Sequence, residues 1–310
     1  MENGSGSHRG LCEGTSRRGI LKAGALAMGG LTLSCLLRAE APAEGEATGR
    51  TTSEPAPNAA ASNADRPGGA TPNKFDITAT FSIVAVDPEI RVCGAAVASK
   101  YPAVGKVVPY VRADVGAFCT QHHHVPNWGE PALDMLQQGK RPEAVISELL
   151  RDDNDAELRQ LAIIDMQGRA AVHNPTNAPA DSRYWAAMTG RFYCCQGNTL
   201  TGRGVVVAMA AAYEETEGSL ADRLIAALIA ADCAGGDHRG RLAAGIRVAK
   251  TGVKGDWLSL HVDESDDAVV ELTQRYAELK HAAKGIWHGG KPPFHHPCPD
   301  RPKPVAPGTN

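Results

Sequence analysis

Aromatic residues are scarce in this 310-residue chain, at 5%. Acidic and basic residues nearly cancel, leaving a formal net charge of -3. No block of Lys and Arg interleaved with aromatics occurs, so neither nucleic acid nor an anionic membrane surface is expected as a partner. The eight cysteines show no metal-like CxxC spacing. No glycine-rich loop is followed by Lys-Ser or Lys-Thr, which excludes a phosphate loop. The apolar run over residues 23–37 is 15 residues long, short of the ~20 that a membrane-spanning helix needs. No internal repeat is visible.

That run is preceded by Ser16-Arg17-Arg18-Gly19-Ile20-Leu21-Lys22 and followed by Ala41-Pro42-Ala43. A positive segment, a short apolar segment and small residues, in that order, read as an export signal over residues 1–43. The paired arginines point to the twin-arginine route, hence to a periplasmic or extracellular protein, membrane-tethered if the signal stays uncleaved. No stable membrane span is expected after cleavage. Cys35 follows Thr32-Leu33-Ser34, a poor context for lipidation. Residues 44–76 are rich in Ala, Pro, Thr, Ser, Asn and Gly. Such a segment buries too little apolar surface to offset the entropy of ordering it, and reads as a disordered linker. Residues 284–310 form a similar tail, rich in Pro and His.

One domain remains, over residues 77–283. Strand patterns fall at 80–86 and 92–98, joined by the turn signal Asp87-Pro88. An extended segment at 106–113 leads to a strand at 115–121. Helical spacing over 130–138 and 142–150 is punctuated by Gly139 and Pro142. Strands at 161–165 and 169–173 flank Met166-Gln167-Gly168, and another strand covers 191–195. Helices at 204–216 and 220–233, strands at 242–249 and 257–262, and a closing helix at 267–282 complete the order. Hairpins outnumber strand-helix-strand units, which favours an α+β protein with antiparallel sheets covered by helix pairs. Strands that are apolar nearly throughout imply burial on both faces, as in a four-layer αββα sandwich. Adjacent Cys194 and Cys195 cannot face the same side of a strand. Folding before export favours buried free thiols in the domain.

Several ordered motifs run along nearly all of the domain. They are Thr80-Phe81-Ser82-Ile83-Val84-Ala85, Gly94-Ala95-Ala96-Val97-Ala98-Ser99, Ala103-Val104-Gly105, Gly116-Ala117 with Thr120-Gln121, Arg159-Gln160-Leu161, Gln196-Gly197-Asn198 and Gly235-Gly236-Asp237-His238-Arg239-Gly240-Arg241. On these the chain resembles a widespread bacterial family of Ntn-hydrolase-like proteins, a domain of unknown function. The resemblance implies the αββα sandwich and names no substrate. Where the family's glycine-rich motif continues with a polar pair, this chain has Leu242-Ala243.

In an N-terminal-nucleophile enzyme a Thr, Ser or Cys side chain attacks a carbonyl and its own α-amine serves as base. Thr80, at the head of the first strong strand, is the candidate nucleophile. Its amine exists only if the Ala79–Thr80 bond is cut. Asn198 is a candidate oxyanion donor. Asp237 and Arg239 are candidate orienting groups, able to form a bidentate pair or to hold a substrate carboxylate. Ser99, Thr120, Gln121 and His122 stand at strand ends and are candidates for lining the same cleft. His122-His123-His124 cannot all point one way, and ligands to a metal usually come from several elements, so no metal and no cofactor is expected. The leading expectation is an exported amidohydrolase acting on a small-molecule or peptide-like amide. The alternatives are a non-catalytic envelope binding protein on the same fold and a metal-dependent hydrolase using the histidines. Sheet edges often pair between subunits in such architectures, which is compatible with a homodimer, though the sequence does not specify the oligomeric state.

Overall fold

The computed structural model describes residues 77–78, 80–177, 182 and 184–282. The expected export signal, linker and tail lie outside the described residues. No helix among the described residues is long and apolar enough to cross a membrane.

Among the described residues, eleven strands form two sheets. In chain order they are β1 (Ile77–Thr78), β2 (Thr80–Asp87), β3 (Val92–Ser99), β4 (Pro109–Arg112), β5 (Gly116–His123), β6 (Arg159–Asp165), β7 (Ala170–His173), β8 (Tyr184–Gly190), β9 (Tyr193–Leu200), β10 (Ala243–Lys250) and β11 (Leu258–Val262). The six-stranded sheet has the order β11-β10-β3-β2-β9-β8. The five-stranded sheet has the order β1-β5-β6-β7, with β4 also on β5. Every pairing is antiparallel. The helices are α1 (Val104–Val107), α2 (Gly129–Gln137), α3 (Pro142–Leu150), α4 (Gly204–Glu215), α5 (Leu220–Cys233) and α6 (Ala268–Ala282). The α+β class and the mainly antiparallel sheets agree with the sequence pattern.

Alternation along β2 explains why both faces are apolar. Phe81, Ile83 and Ala85 join residues of α4, α5 and α6 in one core. Val84 and Val86 join Ala95, Val97, Ala117, Cys119, Ala162 and Ile164 in a second core, between the sheets. On the far side of the five-stranded sheet, Phe118, Leu161 and Ile163 pack with Leu133, Leu136, Val145 and Ile146 of α2 and α3. Cys194 faces the second core and Cys195 the first, so the adjacent thiols point apart as strand geometry requires. Cys93, Cys119, Cys194 and Cys195 are buried and free.

Several elements differ from the sequence expectation: β1 is not expected from the sequence, the strand expected over 191–195 is β9 and runs to Leu200, and two further differences have a local cause. The segment expected to be extended over 106–113 begins as the single turn α1 and becomes β4 only at Pro109. Gly105 permits this, because α1 lies directly on β10. A Cβ at Gly105 would come within 2.8 Å of Gly245 Cα, and one at Gly245 within 2.5 Å of Gly105 Cα. Strand β8 carries no strand pattern. It is an edge strand, and Tyr184 stays 60% exposed, so no buried face imposed alternation on its sequence.

The contact between Gly105 and Gly245 is backbone against backbone and cannot be relieved by a side-chain rotation. Gly245→Ala is therefore expected to destabilise the fold by about 1–3 kcal/mol, the usual cost of overpacking. Chemical denaturation checks this; a loss below about 0.5 kcal/mol would mean that α1 moves away freely.

Candidate functional site

Antiparallel register assembles the site from the strand ends. Thr80 pairs with Ser99, and Ser99 with Ala243. Phe81 pairs with Gly197, which puts Asn198 one step further, across from Thr80. Since Val84, Val97, Cys194 and Ala243 face the space between the sheets, the period-two rule turns Thr80, Ser99 and Asn198 the same way. The result is a row, Ala243–Ser99–Thr80–Asn198, across four neighbouring strands. The next row inward contains Val97, Ser82 and Gln196.

Hydrogen bonds knit these rows to the opposite sheet. Thr80 Oγ1 lies 3.3 Å from Ser99 Oγ, and Ser99 Oγ accepts from the Tyr101 amide at 2.8 Å. On β5, Gln121 donates through Nε2 to the Thr80 carbonyl at 3.2 Å and accepts at Oε1 from Ser82 at 2.6 Å. Gln121 Nε2 also donates to Gln160 Oε1 at 2.7 Å. Gln160, on β6, donates to the Gly197 carbonyl and to Asn174 Oδ1, both at 2.9 Å. It accepts a second bond from Asn198 Nδ2 at 2.9 Å. All four hydrogen-bonding positions of the Gln160 amide are thus used. Thr80, Ser82, Ser99, Gln121, Gln160, Gln196 and Asn198 are fully buried, and none carries a charge.

The chain reaches this site by changing sheets. Thr78 pairs with His122 in the five-stranded sheet, and Thr80 pairs with Ser99 in the six-stranded one. One residue makes the crossing. The Thr80 hydroxyl is fully covered in this arrangement.

The other expected residues lie elsewhere. Thr120 is paired with Leu161, on the face of β5 that meets α2 and α3, and its hydroxyl accepts from the Val125 amide at 3.3 Å. His122 has φ +65°. Its Nδ1 donates to the Leu158 carbonyl at 2.6 Å, and its Nε2 lies 2.8 Å from Ser182 Oγ. The His122 and His123 rings meet edge-on with centroids 4.9 Å apart while His124 turns to Tyr101, and no cluster of three or more potential metal ligands occurs among the described residues.

Asp237 and Arg239 bind each other. Arg239 donates from its backbone amide, Nε and Nη2 to the Asp237 carboxylate at 2.9, 3.2 and 3.1 Å. Their loop pairs with the end of β9 through His238 N to Thr199 O at 3.0 Å and Thr201 N to Gly236 O at 3.1 Å. Gly236 has φ +51°, and a Cβ there would meet the Phe81 ring at 2.9 Å. The paired glycines thus let the loop press on the head of β2. A buried ion pair, Arg241 with Asp232, anchors the loop to the end of α5. Thr199, beside Asn198, has φ +51°, a conformation that a β-branched residue adopts only when its surroundings impose it.

The sequence pointed to Thr80, Ser99, Gln121 and Asn198, which the fold brings together. It gave no role to Ser82, Gln160, Asn174 and Gln196. A signal existed: Gln160 and Gln196 each share the inward face of a strand with apolar residues, where a carboxamide needs partners. Buried thiols contribute no nucleophile, because desolvation pushes Cys93, Cys119 and Cys195 up to about 12. A cavity of about 410 Å³, lined by Asp87, Arg191, Phe192, Glu214 and Arg223 among others, opens at the opposite end of β2.

Gln160→Leu would leave Asn198 Nδ2 and the Gly197 carbonyl buried without this partner. A loss of at least about 2 kcal/mol in unfolding free energy is expected. Denaturant titration checks it, and a loss below about 1 kcal/mol would show that the two sheets do not depend on this residue.

Residues 80–272 match the model of a family of unknown function, DUF1028. A crystal structure of a protein of that family from Silicibacter pomeroyi is similar, with a TM-score of 0.60 and 29% sequence identity. The match covers 66% of this chain and 90% of that one. No curated protein matches. The matched segment holds β2 to β11 and the whole polar row, and on it the chain belongs to the DUF1028 family, whose function is unknown.

Proposed function

We propose that this protein is an exported hydrolase of the N-terminal-nucleophile type, acting on an amide bond, with Thr80 as nucleophile and carrier of the base. The two sheets with helices outside them are read as the αββα sandwich of Ntn hydrolases. The observation that carries the proposal is the position of Thr80. It heads a central strand, in a row of neutral hydrogen-bonding side chains, at the point where the chain changes sheets. A neutral threonine hydroxyl is a weak nucleophile. The hydrogen-bonded side chains around it are hydroxyls and amides, which are poor bases. Cutting Ala79–Thr80 would supply a base in place, because an α-amine of pKa about 7.7–8.0 is partly neutral near pH 7. It would also release the chain before Thr80 from its covalent link to β2. Ser99 would hold the hydroxyl. One Asn198 N–H is engaged by Gln160, which leaves its second for a developing oxyanion. Asp237 and Arg239 would act by fixing the loop against β2. The twin-arginine signal supports action outside the cytoplasm, on a small-molecule or peptide-like amide.

One observation favours a second reading, a non-catalytic envelope binding protein on the same fold. Ala243 occupies the end of the row, where a polar side chain would extend the site beyond Ser99. On that reading a ligand raises the melting temperature without being turned over.

Intact mass and N-terminal sequencing of the mature protein from its native host are expected to give a chain that starts at Thr80. That chain should show amidase activity in a broad substrate screen, and Thr80→Ala should abolish it. A mature chain starting near Glu44, or activity that survives Thr80→Ala, would refute Thr80 as the nucleophile.

A further inference from the structure

Asn198 and Gln196 stand two residues apart on β9, facing the five-stranded sheet. Both side chains use their nitrogens as donors. Asn198 Nδ2 donates to Gln160, and Gln196 Nε2 lies 3.5 Å from Ser82 Oγ. Asn198 Oδ1 and Gln196 Oε1 are buried and have no hydrogen-bond partner among the described residues.

The orientation of Asn198 is dictated, not chosen. The Gly197 carbonyl only accepts, so Gln160 turns Nε2 toward it. The Thr80 carbonyl only accepts, so Gln121 turns Nε2 toward it and toward Gln160. Gln160 therefore presents Oε1 to Asn198, and Asn198 must answer with its NH2 group. The oxygen left over is Oδ1. A buried acceptor without a donor is costly, so this site is built to receive one. By register Asn198 lies across from Thr80, whereas Gln196 lies one row deeper, across from Ser82.

We propose that Asn198 Oδ1 is the acceptor for the α-amine of Thr80 in the cut protein. This rests on the reading of Thr80 as an N-terminal nucleophile. Cutting consumes one water: the Ala79–Thr80 C–N bond breaks, Ala79 keeps a carboxylate and Thr80 an amine. One amine N–H donates to Oδ1, which aims the lone pair toward the hydroxyl of the same residue. During attack the Oγ1 proton passes to the amine, and the ammonium keeps its bond to Oδ1. An amide suits this position better than a carboxylate. A negative charge here would stabilise the ammonium before reaction and remove the base at neutral pH. Asn198 is on this view a positioning residue for the base.

The test uses a chain made to begin at Thr80 by removal of a fused ubiquitin. All three cores lie within residues 81–276, so a chain that starts at Thr80 keeps them whole and, of the described elements, loses only the two-residue strand β1. Circular dichroism and a cooperative melt first verify that it is folded. The α-amine is titrated through the pH dependence of its acylation by a small reagent, located by mass spectrometry. Asn198→Asp is expected to raise its pKa by about 1–3 units. Gln196→Glu, on the deeper row, is expected to raise it by less. No shift in a folded Asn198→Asp protein, or an equal shift in Gln196→Glu, overturns the proposal. If Asn198→Asp does not fold, a crystal structure of the unsubstituted Thr80-start chain decides. The amine within hydrogen-bond reach of Oδ1 supports the proposal, and a water at Oδ1 with the amine turned away overturns it. Neither readout requires turnover, so absence of amidase activity would strike at the hydrolase reading alone.

Discussion

Two linked carboxamides, Gln160 and Gln121, join the two sheets where the candidate site lies, and Gln160 is the saturated one. Elsewhere the sheets meet through Val, Ala, Ile and Cys side chains, whose attraction has no direction. At the Thr80 end the contact changes character. An amide offers donors and acceptors in a fixed plane, so a saturated one dictates the orientation of every amide that touches it. Gln160 in this way orients Gln121 and Asn198, and Gln121 in turn holds Ser82 and the Thr80 carbonyl. The same set of bonds fixes the spacing of the sheets and the geometry around Thr80. Such linkage makes the network demanding, because a buried polar group that loses its partner is expensive.

Neutrality is the second property of the site. Charged pairs do occur nearby, but each is closed on itself. Asp237 is held by Arg239, and Asp232 by Arg241. These pairs brace the glycine-rich loop against β2 and β9 and leave the interior between the sheets to hydroxyls and amides. In such surroundings an added amine would meet dipoles and no charge, and dipoles shift a pKa less than a neighbouring carboxylate does. Two of the non-glycine residues with positive φ, Thr199 and His122, lie near the ends of β9 and β5 on the same side of the molecule as the row.

Much of this architecture was legible in the sequence. Short, nearly continuous apolar runs bounded by turn signals located β2, β3, β5 and β6, and helical spacing with Gly139 and Pro142 located α2 and α3. Thr80, Ser99, Gln121 and Asn198 were recognisable as polar residues at strand ends. Thr120 and His122 satisfied the same criterion and yet face away from Thr80 or hold backbone groups. Position along a strand does not say which face a residue takes when a positive-φ residue interrupts the alternation, as His122 does. Strand β8 and the turn α1 were not legible, because an exposed edge and a glycine contact leave no periodic trace.

The sequence by itself determined the class of fold, the covering of both strand faces and the set of polar residues available at the strand ends. Those properties follow from local periodicity, which each segment carries alone. Only the tertiary structure decided which of those residues meet. The row of Ser99, Thr80 and Asn198 depends on pairing among β3, β2 and β9, segments about 20 to 120 residues apart, whose register no local pattern encodes. The bridge through Gln160 depends on two sheets facing each other at a set distance, and the crossing from Thr78 to Thr80 on both sheets being in place. Hydrogen bonds act over about 3 Å, so the choice of partners belongs to the folded chain.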